Sequence, residues 1–472
     1  MKKNFIKDKK IRDFLYTMGA NIITLITSLV MIFVVPKALS ISEYGYFKIF
    51  TFYLGYIGIF HLGFNDGIYV NYGNYDYETL PREKFRAYFK FLTIFQVIVG
   101  ALFCILSFVF VKDSERLTIY LFIGINIILL NITCYFEFLS QVVRKFRLYS
   151  INMVLSKIMY VVGVLGILLL DCRKATYLIL FQTIVNFIIF LIYIYKYKDI
   201  NFGKKTPLHT IKSDIKKNIS MGFFIMLGNF VSIIIIGVDR IFVDKFFTVN
   251  DFAMYSFAVS LLSMIYIILN GIRTVIYPYL TRSDEKDLGK NYEIMKTAIF
   301  ILLGYSLAAY FFCKVLVSAF LPKYVASLTV TAIIFPTILL SGEINIVTSN
   351  YYKTLKLEKS YTKNNIIAVA ISLITIVIAF FGFRTQEAIA TSSLLSFYLW
   401  GLYGDNFFKK RLGIKVHKHH LAEILTIVLF LVLSTKTNWY VGLALYIVGF
   451  TLIVLAFFIK EIKSLLSLRR KR

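Results

Sequence analysis

Six ionisable side chains stand where a charge is costly: His61, Asp66, Glu137, Lys157, Arg273 and Glu343 all fall inside long apolar runs. A charge placed in hydrocarbon is unfavourable enough that such residues normally face a cavity or a partner. Cations in that setting can neutralise an anionic headgroup; carboxylates and histidine can bind hydroxyls or a small cation. His61 lies near the middle of its run, and Asp66 further toward the inner end. Glu137 and Glu343 each stand about two turns from an end, roughly 10 Å at 1.5 Å per residue. Lys157 has a similar depth, and Arg273 is close to an end. Plainer readings stand beside these. Lys157 and Arg273, like Lys48 and Lys314, can snorkel to an interface. His61 can simply hydrogen-bond a neighbouring helix. The shorter glutamates favour a buried partner or an aqueous cavity.

Little else carries chemistry. No glycine-rich phosphate loop is present, so the chain is not expected to hydrolyse ATP. No catalytic constellation emerges, and neither an enzyme nor a cofactor is expected. Cys104, Cys134, Cys172 and Cys313 lack zinc or redox spacing and read as small hydrophobes. His417, His419 and His420, beside Lys415 and Lys418, read as a solvated basic loop rather than a metal site. Asp239-Arg240 reads as an interfacial stop closing its run.

Positioning these residues falls to helices. The chain has 472 residues, 58% hydrophobic and 17% aromatic, where a soluble domain is about 45–50% apolar. Windows of about 20 apolar residues predict fourteen transmembrane helices in an all-α membrane protein. They lie near 14–36, 45–71, 88–111, 118–143, 149–171, 175–195 and 218–238, then 252–277, 294–320, 325–350, 364–383, 386–406, 420–435 and 439–460. The basic start Met1–Arg12 leads into a run too long for a cleaved signal peptide. With the N-terminus inside, the inner segments hold 37 of the 53 Lys and Arg and the outer loops 10, which places both termini in the cytoplasm. The net charge of +27 is thus topology, spread through short loops, and nucleic acid is not expected as a partner.

The longest loop, Lys196–Lys217, divides two six-helix lobes, residues 1–217 and 218–406, from which two helices trail over 407–472. A repeat supports the division. Ser40-Ile41-Ser42-Glu43 and Thr248-Val249-Asn250-Asp251, 208 residues apart, both have the form of a capping box before a span. The same offset matches Asn65 with Arg273, Asp66 with Thr274 and Tyr69 with Tyr277. Six helices per lobe keep one orientation, so the relating axis runs along the membrane normal around a cavity between pseudo-symmetric bundles.

Pro36-Lys37-Ala38-Leu39-Ser40, Glu43-Tyr44-Gly45-Tyr46, Asp239-Arg240, Tyr255, Tyr277-Pro278 and Leu321-Pro322-Lys323-Tyr324 give the chain a resemblance over nearly its whole length. It resembles the polysaccharide transporters (Wzx-type O-antigen and capsule flippases) of the multidrug/oligosaccharidyl-lipid/polysaccharide exporter superfamily. The resemblance implies a MATE-like pair of bundles in the bacterial cytoplasmic (inner) membrane. It implies passage of undecaprenyl-pyrophosphate-linked oligosaccharide units to the outer leaflet, for lipopolysaccharide O antigen or capsule. Membrane lipids, a polysaccharide polymerase and chain-length proteins are the implied partners. Arg273 and Lys157 would then face the phosphates. Glu137, Glu343 or Asp66 would bind sugar hydroxyls or a coupling H⁺ or Na⁺. A cation-coupled multidrug exporter is the nearest alternative, although its site should favour acids and here both signs occur. A membrane polymerase or glycosyltransferase is a third, and the short outer loops argue against it.

Overall fold

The computed structural model describes residues 9–73, 75–280 and 288–469, apart from the side chains of 9–15, 267–280, 462–469 and a few single positions. Among the described residues it is helical without strands. Helices α1 (Lys9–Ala38), α2 (Ile41–Leu54), α3 (Phe64–Asn71), α4 (Arg82–Phe110), α5 (Ser114–Val142), α6 (Phe146–Leu169) and α7 (Ala175–Lys196) lead to a short α8 (Lys198–Asn201). The long α9 (Lys212–Phe246) and α10 (Val249–Leu280) follow. Next come α11 (Leu288–Ser306), α12 (Ala309–Phe320), α13 (Ser327–Ile334), α14 (Thr337–Glu343), α15 (Ser349–Thr354), α16 (Glu358–Phe383), α17 (Gln386–Leu412), α18 (His417–Lys436) and α19 (Trp439–Arg469).

Among the described residues, eleven helical segments are long and apolar enough to cross a membrane, and the bent pair α2–α3 makes a twelfth if counted as one span. By this measure the predicted count of fourteen is not reached. Two of the predicted spans fall on α10 and α17. The end of α10 is only partly described, and Gln386, Glu387, Thr391, Ser392, Ser393 and Ser396 dilute the apolar content of α17. The chain packs as two units, Met1–Ile233 and Ile234–Arg472, with the division inside α9 and with α18 and α19 in the second.

In the first unit, the predicted second span is broken rather than continuous. Leu62 and Gly63 are left-handed (φ 50° and 76°), and α3 leaves at 60° to the preceding segment. A helix broken at membrane depth must find new partners for its backbone, and side-chain amides supply them. Asn131 Nδ2 donates to the Ile57 carbonyl (3.1 Å) and to Gln96 Oε1 (2.9 Å). Gln96 Nε2 donates to the Phe60 carbonyl (3.1 Å), and Asn65 Nδ2 to the Asn131 carbonyl (3.0 Å). Small residues then let α3 meet α9 backbone to backbone. A Cβ on Gly222 would lie 1.9 Å from the Gly63 oxygen, and one on Gly67 would lie 2.0 Å from the Asn218 oxygen.

The two predicted capping boxes differ. At α10 the box is complete: Asp251 N–H donates to Thr248 Oγ1 (3.2 Å) and Thr248 N–H to Asp251 Oδ2 (3.0 Å). At α2, Ser40 accepts from Glu43 N–H (3.2 Å), but the Glu43 carboxylate turns away and accepts the Ala175 N–H (2.5 Å), capping α7 instead. The loop predicted over Lys196–Lys217 contains α8 and is tied down. Arg86 donates to the carbonyls of Asp199 (2.8 Å) and Lys204 (2.7 Å), and Tyr77 donates to Asp199 (2.7 Å). Lys84 pairs with Asp214 at 2.9 Å.

In the second unit α10 runs unbroken where α2–α3 bends, so the sequence repeat does not extend to the break. The predicted tenth span is α13, α14, a single π turn over Ile344–Thr348 and α15, almost wholly buried.

Candidate functional site

His61 ends the 3₁₀ turn Ile57–His61, and Asp66 sits in the first turn of α3, both buried. Gly63 N–H donates to His61 Nδ1 (3.1 Å). Because a neutral imidazole has one acceptor and one donor nitrogen, Nε2 then carries the hydrogen, 3.7 Å from Asp66 Oδ2. The helix break therefore brings together two of the six predicted residues. Glu137 on α5 and Lys157 on α6 are half-buried in the same unit. Each lies in the field of the other, without an ion pair between them. Arg273 is on α10, and its side chain lies outside the described residues, as do those of Thr274 and Tyr277. Glu343 belongs to the second unit.

There it joins a cluster that sequence reading missed. Lys296 on α11 reaches Asp405 Oδ2 of α17 (2.6 Å), Glu343 Oε2 of α14 (2.7 Å) and Glu423 Oε1 of α18 (3.1 Å). Exposures are 4%, 1%, 3% and 3% for Lys296, Asp405, Glu343 and Glu423. Tyr292, one turn before Lys296, donates to Asp405 Oδ1 (2.7 Å). His420, one turn before Glu423, places Nε2 3.5 Å from Asp405 and Nδ1 3.4 Å from Glu423. Taking one of these charges away would strand the others, because breaking a buried pair costs about 3–5 kcal/mol.

Helix ends explain the omission. The predicted spans began near 294 and 420 and stopped near 406, which left Lys296, Asp405 and Glu423 at interfaces. In the structure α11 begins at Leu288, α17 continues to Leu412 and α18 begins at His417, so each residue lies further inside its helix than the predicted spans placed it. An available signal was one lysine and two acids, each just inside the end of a predicted span (the ninth, twelfth and thirteenth). The same shift corrects the histidine reading. His417 is exposed, but His419 and His420 belong to the first turn of α18; His419 is buried against Phe458 (ring centroids 4.6 Å). They are not a solvated loop.

Asp239 is likewise no interfacial stop. It is buried within α9, which continues to Phe246, and its carboxylate accepts from Tyr255 Oη (2.8 Å), Ser393 Oγ (3.3 Å) and Arg240 N–H (2.7 Å).

Asp405, His420 and Glu423 each bring one donor atom within 4.8 Å of the others, a spacing that suits a metal ion. The Lys296 ammonium already bridges Asp405 and Glu423, however, and a metal cation would have to sit against it.

No curated protein matches the chain in sequence. Among solved structures it is similar to "Lipid II flippase MurJ, inward closed conformation", with a TM-score of 0.66 at 12% identity, covering 96% of this chain and 100% of that one. That likeness shows the fold: all-helical, of the flippase's type. A family model described as "Polysaccharide biosynthesis protein" matches residues 11–284, more than half of the chain, and the chain accordingly belongs to the polysaccharide biosynthesis protein family.

Proposed function

We propose that the protein is a flippase for lipid-linked oligosaccharides. In this reading it moves undecaprenyl-pyrophosphate-linked repeat units from the cytoplasmic to the outer leaflet of a bacterial cytoplasmic membrane, for O antigen or capsule. Both termini face the cytoplasm, as the 37-to-10 division of basic residues favours. The family match over residues 11–284 carries the proposal, and a fold shared with a lipid flippase supports it.

The chemistry fits. A pyrophosphate-sugar headgroup cannot cross hydrocarbon unaided, while its prenyl tail can stay in lipid. Lys157 and Arg273 offer cations to the phosphates, and His61, Asp66 and Glu137 offer partners to sugar hydroxyls. Glu343 belongs to the coupling of transport to H⁺ or Na⁺. A polymerase and chain-length proteins would act on the delivered units.

Reconstitution tests this directly. Purified protein is placed in liposomes with a fluorescent undecaprenyl-pyrophosphate oligosaccharide, and an impermeant quencher reports its leaflet. Flipping is expected with wild type and reduced at least tenfold in Lys157→Met. Folded protein that leaves the probe in one leaflet but extrudes cationic dyes overturns the proposal in favour of a drug exporter.

A further inference from the structure

We propose that Lys296, Glu343, Asp405, Glu423 and His420 form a proton-binding site, two of whose five residues are supplied by α18. As the site that couples transport, it rests on the flippase reading; as a proton site, it stands on geometry alone.

The charges do not balance. One ammonium faces three carboxylates, all buried, which leaves two negative charges uncompensated when His420 is neutral. Buried charge of that size does not persist at membrane depth without a counter-charge. The Lys296 ammonium has only three N–H groups, and Glu423 Oε1, 3.1 Å from it, is left without a hydrogen bond.

Two independent features point to protons as the missing charge. First, both ring nitrogens of His420 face carboxylate oxygens: Nδ1 contacts Glu423 at 3.4 Å, and Nε2, which has no hydrogen-bond partner, lies at ion-pair distance from Asp405 (3.5 Å). A neutral imidazole would turn a lone pair toward one carboxylate, whereas an imidazolium presents an N–H to both. Second, Glu343 Oε1 is buried with no hydrogen-bond partner, although its other oxygen is paired with Lys296. One proton on His420 and one on Glu343 Oε1, both taken from water, bring the cluster to neutrality.

The surroundings add no further charge. Tyr292 donates to Asp405 from α11, and Tyr351 of α15 donates to the Leu288 carbonyl. On α17, Tyr398 lies with its ring 6.4 Å from His420. His419 reaches Thr297 (3.4 Å), while Lys418 is already paired with Glu461 of α19. Glu343 is also the last residue before the π turn at Ile344–Thr348, a backbone irregularity found preferentially at functional sites. Loading and unloading of protons would therefore act on α14 and α18 together.

Trp400 gives a local probe: it is buried in α17, five residues before Asp405, and the other tryptophan, Trp439, is exposed at the start of α19. The full chain carrying Trp439→Phe is placed in nanodiscs, in sodium-free buffer with a chelator, and Trp400 emission is followed from alkaline to acidic pH. A reversible transition is expected. It should be lost in His420→Gln and displaced in Glu343→Gln. The proposal is overturned if there is no transition, if it survives both substitutions unchanged, or if it appears only when Na⁺ or a divalent cation is added at fixed pH. Should the variants fail to fold, the pH-difference infrared spectrum of unmodified protein decides. Imidazole ring modes together with a protonated-carboxyl band support the site, and their absence refutes it. Neither readout needs a lipid-linked substrate, so failure of the flipping assay leaves this test intact.

Discussion

Lys296 shows how much a single buried cation can organise. Three carboxylates from three helices end on one ammonium, so Lys296→Met should destabilise the protein by about 3–5 kcal/mol. Adding Asp405→Asn should recover part of that loss, because the second change removes a charge that the first left unpaired. Thermal unfolding of the detergent-solubilised single and double variants measures both effects; strict additivity would show that the two side chains are not coupled. At this scale the sequence was only partly legible. Glu343 stood out because it lies well inside its apolar run, and His61 and Asp66 did so for the same reason. Lys296, Asp405 and Glu423 did not, because hydropathy windows end where charges begin, and a buried charge near a helix end shortens the window that should contain it. Outside the spans, burial and the hydrogen bond to Asp199 push the Tyr77 phenol up. Lys84→Met removes the tie to Asp214 and should loosen the segment 196–217, which faster proteolysis would report.

At the scale of elements, two contacts invite direct tests. Where α3 meets α9, Gly222→Ala would place a methyl 1.9 Å from the Gly63 oxygen, whereas a Cβ on Gly228 of the same helix meets nothing within 4 Å. Gly222→Ala should therefore destabilise by about 1–3 kcal/mol through backbone displacement. Gly228→Ala should be neutral or stabilising by up to about 1 kcal/mol from helix propensity. Equal effects in a melting comparison would show that α3 does not pack as described. The second contact is the cap that Glu43 lends to α7. Glu43→Ala should cost about 1 kcal/mol and increase hydrogen exchange in the first turn of α7 rather than of α2. Sequence spacing located both capping boxes, yet it could not tell that one acid would serve a helix 132 residues away. The break at Leu62–Gly63 was hidden for a related reason: hydropathy is continuous across it, and the amides that make it tolerable, Gln96 and Asn131, come from other helices.

For the whole molecule, membrane class was legible from composition alone, since no water-soluble surface can be built from such a chain. Span number was less so, because a threshold on apolarity passes α1 readily and stops at α17, whose polar residues are paired with neighbours instead of lipid. Ser393 with Asp239 and Ser396 with Thr375 are examples. The C-terminal pair α18–α19 is bound to the rest of the second unit by charge as well as by packing. Ending the chain after Leu412 removes Glu423 and His420 from the cluster. Such a truncation should give little monodisperse protein in detergent, judged by size-exclusion of a fluorescent fusion. A truncated chain as stable as the full one would mean that α18 is dispensable to the cluster.

The cluster also imposes an order in time. Asp405 is 109 residues downstream of Lys296, and at about 5–20 residues per second of synthesis it emerges roughly 5–20 s later. Through that interval α11 carries an ammonium whose strongest partner has not yet been made, and α18 arrives later still. The helix can settle in lipid only after its partners do, so it must wait beside the insertion machinery or with its lysine still in water. A ribosome halted before α17 is accordingly expected to leave α11 more easily extracted from the membrane than it is in the full chain.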